Sequence, residues 1–260
     1  MNSKTSTPAR EAEAKARERL RTLVASLRRA AKHPGDAESI HRLRVSIRRF
    51  TQVLRVFNGL FSHSRKMRRR LRGLMDLCGV ARNCDIALDV LAAAGVPADL
   101  ALEKRLKQRR ARAGRELARL LTDGDGRAGM RRWSKWLTAK SGHPTASAPE
   151  VLPSLSHQFL TVGEAAAKAG AGFEQMHEFR LLVKRYRYSL EILGSPPIDV
   201  LRGLQERLGA INDCVTTADL IEGMHLGAVA KRKIKVALNR LIARRAADFR
   251  AFWRKSQRTQ

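Results

Sequence analysis

Acidic residues are scarce in this chain. Only 24 Asp and Glu accompany 52 Lys and Arg among 260 residues, a formal net charge of +28. Such an excess repels itself in a folded molecule unless counterions or a polyanion screen it. The expected partner is therefore strongly anionic: nucleic acid, polyphosphate or an acidic membrane surface. Cysteine is scarce as well. Cys78, Cys84 and Cys214 form no CxxC pair and are too few for a disulfide framework. They read as small apolar packing residues in a reducing compartment. No apolar run reaches the roughly 18 residues that suggest a membrane span, and no apolar h-region follows Met1. Neither a transmembrane helix nor a secretory signal is expected. Aromatics make up 5% of the chain, too few for the stacking platforms on which single-stranded nucleic acid is usually read. A Walker-type Gly loop, GxSxG and HExxH are all missing, which excludes those nucleotide-, ester- and zinc-dependent chemistries.

What is present is helix-forming residue in abundance. Ala, Leu, Arg, Lys and Glu dominate, and Val and Ile occur singly rather than in alternating runs. Residues 1–7 are expected to be disordered. The pattern predicts helices over residues 8–32, 36–60, 64–94 (with a possible kink at Gly79), 97–121, 128–139, 152–168, then on to residue 193, 199–223 and 228–255. Asp36 stands where the second helix needs an N-cap. A Ser-, Gly-, Pro- and Thr-rich stretch at 140–149 reads as a linker.

One stretch is written twice. Ile40-His41-Arg42-Leu43-Arg44-Val45-Ser46-Ile47-Arg48-Arg49-Phe50 is matched by Met176-His177-Glu178-Phe179-Arg180-Leu181-Leu182-Val183-Lys184-Arg185-Tyr186. Each copy has a His followed three, seven and eight positions later by a basic residue. On a helix, positions i, i+3 and i+7 share a face. His41, Arg44 and Arg48 thus form one stripe, continued by Arg55, and His177, Arg180 and Lys184 form another. Leu43, Ile47, Phe50 and Leu54 lie roughly opposite the first, and Phe179, Val183, Tyr186 and Leu190 opposite the second. From His41 to Arg55 the helix rises about 21 Å, which favours a chain of phosphates over a single one. Arginine suits phosphate because its planar fork donates bidentately. A solvated charged face would explain either stripe alone; it does not explain the same His at the same offset twice.

The repeat continues. Leu71-Arg72-Gly73-Leu74 matches Leu201-Arg202-Gly203-Leu204, and Gly79 through Cys84 match Gly209 through Cys214. The expectation is one domain, residues 8–260, made of two helical repeats, 8–139 and 150–255, sharing one core. Within Gly79-Val80-Ala81-Arg82-Asn83-Cys84-Asp85, Arg82 is a candidate phosphate contact, while Asp85 and Asp213 read as capping or orienting groups. Neither His41 nor His177 has a second metal ligand at i+3 or i+4, and their neighbours are cationic, so no metal site is expected. No carboxylate cluster of the kind that holds Mg²⁺ accompanies the histidines, so neither catalysis nor a cofactor is expected. Glu11-Ala12-Glu13-Ala14-Lys15 matches the ExExK signature of triphosphate-tunnel enzymes. That signature must project from a strand, and here it stands in a helical run where i and i+2 do not face each other.

These motifs resemble the CHAD family, the conserved-histidine α-helical domain. His41-Arg42-Leu43-Arg44-Val45 with Arg48-Arg49 looks like its first signature and Gly79 to Asp85 like its second. His177-Glu178-Phe179-Arg180 with Lys184-Arg185-Tyr186-Arg187-Tyr188 looks like the third, and Leu204 to Asp213 like the fourth. Asn83 departs from the pattern, standing where the family usually has an acid. The resemblance covers essentially residues 10–255. It implies an all-α fold, two pseudo-symmetric four-helix bundles around a basic central groove or cavity that binds inorganic polyphosphate. It also implies a cytoplasmic protein at polyphosphate granules. The binding residues it implies are His41, Arg44, Arg48, Arg49, Arg55 and Arg82, then His177, Arg180, Lys184, Arg185, Arg187 and Tyr188. The competing readings are non-specific nucleic-acid binding, for which the charge alone would suffice, and a polyphosphate-modifying phosphatase.

Overall fold

The computed structural model describes residues 8–57, 64–96, 100–122, 148–193 and 198–258. Among the described residues there are eight helices and no strand: α1 (Pro8–Lys32), α2 (Ala37–Val56), α3 (Ser64–Ala93), α4 (Leu100–Thr122), α5 (Ala148–Ala167), α6 (Phe173–Leu193), α7 (Asp199–Glu222) and α8 (Ala228–Arg258). The fold is all-α. None of these helices is long and apolar enough to cross a membrane. The expected disordered start at 1–7, the short helix at 128–139 and most of the linker at 140–149 lie outside the described residues. The linker's last two residues already belong to α5, which begins at Ala148 rather than Leu152. Pro149 fits there, since the first turn of a helix does not use its N–H groups.

The chain forms two compact units. The first comprises residues 1–82 and 109–151. Here α1 packs on α2, and both bury residues spaced three or four apart: Leu20, Leu23 and Leu27 on α1, Ile40, Leu43, Ile47, Phe50 and Leu54 on α2. Met67, Leu71 and Cys78 of α3 and Leu117 of α4 are buried as well. Asp36 caps α2 as expected. Its carboxylate accepts from the Glu38 N–H at 3.2 Å and the Ser39 N–H at 3.1 Å. The Ser39 hydroxyl also donates to it, and Arg29 Nε donates to that hydroxyl at 3.2 Å. Gly114 is required here because a Cβ would sit 2.9 Å from the Pro34 carbonyl oxygen. Helix α2 ends at Val56, four residues before the expected stop, with the Phe57 N–H bonded to the Val53 carbonyl at 3.1 Å. Glu13 is bound to Arg17 Nε at 3.0 Å, an ordinary i,i+4 helix pair, so the ExExK match is a coincidence of composition.

The second unit comprises residues 83–108 and 152–260. The hairpin of residues 83–108 belongs to the first sequence repeat, yet it is built into this unit. Ala87, Val90 and Leu91 of α3 and Leu102 and Leu106 of α4 share a core with Cys214, Leu220 and Ile221 of α7 and Ile234, Leu238 and Leu241 of α8. Gly95, at φ +73°, turns the chain between the two arms. A second cluster is aromatic. Phe159 of α5, Phe179 of α6 and Phe249 and Trp253 of α8 stack with ring centroids between 5.2 and 6.1 Å apart. Gly163 makes room for it: a Cβ there would come within 2.7 Å of Trp253 Cζ2 and 2.9 Å of Phe179 Cζ.

Candidate functional site

In the first unit the apolar side of α2 is buried throughout, which fixes the orientation of its basic side. His41 and Arg55 are exposed at either end of the stripe, and Arg44, Arg48 and Arg49 between them are half-buried. The Arg44 guanidinium lies over α3, where a Cβ added to Gly79 would be 3.2 Å from its Nη1. Glycine at that position gives the guanidinium its seat. Arg82, one turn further along α3, acts on His41. Partial burial of the ring, then the charge of Arg82 and more weakly those of Arg48 and Arg44, lower the His41 pKa; Glu38 pulls the other way. His41, Arg44, Arg48 and Arg82 therefore share one electrostatic neighbourhood. Arg48 Nε is buried there without a hydrogen-bond acceptor, a state that costs free energy. Beneath the stripe, burial pushes the Cys78 thiol up to about 11, with Arg44 opposing. It is an inert packing residue, and all three cysteines are buried and outside any disulfide.

In the second unit His177 is half-buried at the start of the α6 stripe, its ring centroid 5.5 Å from that of Phe173. Its Nδ1 is 3.1 Å from Asn212 Oδ1 on α7, and Asn212 Nδ2 donates to Thr216 Oγ1 at 3.3 Å. Arg180 and Lys184 follow, both half-buried, and Arg185 is exposed. Arg187 is half-buried, its Cζ 5.5 Å from the centre of the Tyr188 ring. Tyr188 itself is buried, so it offers no open stacking surface. Tyr186 packs on Phe159 at 5.7 Å, on the apolar side as its spacing requires.

The two stripes are built on one plan with different ends. The offset of 136 residues places Arg180 on Arg44, Lys184 on Arg48 and Arg185 on Arg49, but Glu191 on Arg55. The offset of 130 residues that relates Gly79 to Gly209 places Asn212 on Arg82. Asn212 is the functional candidate that reasoning along single helices misses. Its signal is the alignment of the repeats, which gives it the position of Arg82. Other arginines have structural duties. Arg245 Nη1 on α8 donates to the Ala210 carbonyl at 2.7 Å and to Cys214 Sγ at 3.0 Å, tying α8 to α7. Lys231 donates to the Glu222 carbonyl at 2.6 Å and pairs with the Glu222 carboxylate. Among the described residues, no three His, Cys, Asp or Glu side chains gather as a metal site.

A basic, His-tipped stripe on an amphipathic helix is thus present twice in an all-α fold. The chain belongs to the CHAD domain family, whose profile matches residues 14–222. Two solved structures share its fold. The CHAD domain from the plant Ricinus communis is 19% identical, with a TM-score of 0.76 over 96% of this chain and 92% of that one. PptA from Streptomyces chartreusis is 16% identical, with a TM-score of 0.74 over 97% of this chain and all of that one. No curated protein matches the sequence significantly.

Proposed function

We propose that the protein binds inorganic polyphosphate and leaves it chemically unchanged. His41, Arg44, Arg48 and Arg82 form one binding surface, extended by Arg49 and Arg55. His177, Arg180 and Lys184 form the other, flanked by Arg185 and Arg187. The observation that carries the reading is the first neighbourhood. Four cationic or protonatable side chains meet there, and Arg48 Nε is a buried donor without an acceptor. A phosphate chain supplies acceptors along its whole length and asks for no base recognition. The burial of Tyr188 supports polyphosphate over single-stranded nucleic acid, whose binding leans on exposed rings. The reading is non-catalytic because, among the described residues, no cluster gathers beside the stripes of the kind that holds Mg²⁺ in kinase- and GTPase-type transfer. The same reading expects the protein in the cytoplasm, at polyphosphate granules.

The test is a competition. Long-chain polyphosphate, RNA and duplex DNA are offered at matched phosphate concentration and physiological salt, with orthophosphate release followed in the presence of Mg²⁺ and Mn²⁺. Preference for polyphosphate without release is expected. Equal or tighter binding to RNA, or metal-dependent release that vanishes in a His41→Gln/His177→Gln variant, contradicts the proposal.

A further inference from the structure

The two histidines are held differently, and the difference lies at one repeat-equivalent position. His41 lies in the field of the Arg82 guanidinium, a group with no lone pair to offer a ring N–H. His177 meets the amide of Asn212, whose oxygen, 3.1 Å away, only accepts. With the Asn212 oxygen toward the ring and its nitrogen toward Thr216, the His177 nitrogen facing that oxygen is the one that carries the proton. The same amide is anchored on its other side, because Asn212 Nδ2 donates to Thr216 Oγ1 one turn along α7. Such a partner behind a histidine sets both its tautomer and its ring orientation.

We propose that Asn212, backed by Thr216, is a positioning residue that ties down Nδ1 of His177 and leaves Nε2 as the ring atom that meets an anion. The proposal rests on the polyphosphate reading for the identity of that anion. In the neutral ring so held, Nε2 bears a lone pair, and a phosphate oxygen also accepts. The two repel unless Nε2 takes up a proton. His177 then contributes a charge-assisted donor only in its protonated form. The charged residues of its own helix within two turns are Glu174, Glu178, Arg180 and Lys184, and Asp213 follows Asn212 on α7. The α7 positions in register with Asn212 are Gln205, Gly209 and Thr216, with the acid Asp219 two turns on. In the first stripe Arg82 supplies a fixed charge at the equivalent place.

The decisive measurement reads the tautomer directly. Long-range ¹⁵N–¹H spectra of the full chain, with His177 assigned through His177→Gln, should show Nδ1 protonated and Nε2 bare at alkaline pH. Asn212→Ala should move the signal toward the Nε2–H form, and Asn212→Asp, which keeps an acceptor, should restore the Nδ1–H form. A wild-type Nε2–H ring, or a pattern unchanged in Asn212→Ala, overturns the proposal. A second arm titrates sodium polyphosphate against wild type and Asn212→Ala, both checked for native circular dichroism. Wild-type affinity should drop roughly tenfold across the histidine range, the worth of one charge-assisted hydrogen bond. The drop should be shallower in Asn212→Ala, whose neutral Nε2–H still donates. Equal slopes refute the donor role. Polyphosphate binding to neither protein refutes the polyphosphate reading instead, and the tautomer spectra still judge the positioning role.

Discussion

At the scale of single residues, burial and then the positive charge of the first stripe make a histidine resist protonation. Burial first, and then Arg82, keep the His41 imidazole neutral to lower pH than usual. Below the ordinary histidine pKa the unfolded chain therefore binds more protons at this site than the folded one, and the site's contribution to stability falls as pH falls. A bound polyanion reverses the sign by favouring the imidazolium. Arg82→Asn, which installs the residue of the second unit, should raise the His41 pKa toward its ordinary value without reaching it, because burial remains. An NMR titration of His41 with and without the substitution checks this; an unmoved midpoint would show that the Arg82 charge is not what holds it down.

At the scale of helices, glycine positions and apolar spacing decide how closely the elements approach. Gly163 lets α5 lie against Trp253 and Phe179, and a methyl group there has no space. Gly163→Ala should destabilise the protein by about 1–3 kcal/mol, the usual cost of overpacking a filled core. Urea unfolding reads the change, and a neutral outcome would mean that the aromatic cluster yields more easily than a packed core does. Most helices were legible from composition and punctuation, and Asp36 announced the start of α2 because an N-cap is a local device. The misplaced ends have local causes. Helix α2 stops at Val56, just before Asn58-Gly59, a turn signal in the sequence itself, and α5 starts inside a stretch that reads as linker because Pro149 suits a first turn. Asn212 was illegible as a partner of His177 because the bond joins residues 35 apart on two helices.

At the scale of the molecule, the sequence repeat and the compact unit are different things. Repetition shows which residues descend from one plan; it does not show with which copy a segment packs. Residues 83–108 carry the first repeat's pattern, yet their apolar faces are completed by α7 and α8. Charge has the same ambiguity. A net +28 attracts any polyanion, and exposed lysines and arginines far from the stripes raise affinity without making a site. Salt separates the two contributions, since interactions between exposed charges are screened beyond about 8 Å at physiological ionic strength, whereas half-buried groups are screened less.

The measurement that bears most directly on the stripes is accordingly a charge-matched comparison at physiological salt. One set removes a stripe charge at a time: Arg44→Ala, Arg48→Ala, Arg180→Ala and Lys184→Ala. The other removes exposed charges outside the stripes: Arg109→Ala, Arg232→Ala, Lys233→Ala and Lys235→Ala. Lys231 is unsuitable as a control because it caps the end of α7. Every variant loses one positive charge, so net charge cannot separate the sets. Binding through the stripes predicts that each member of the first set weakens polyphosphate binding about tenfold or more, the loss of a charge-assisted contact, while the second set changes it little. Equal losses in all eight would mean that polyphosphate is held by diffuse charge and that the two stripes are not a site.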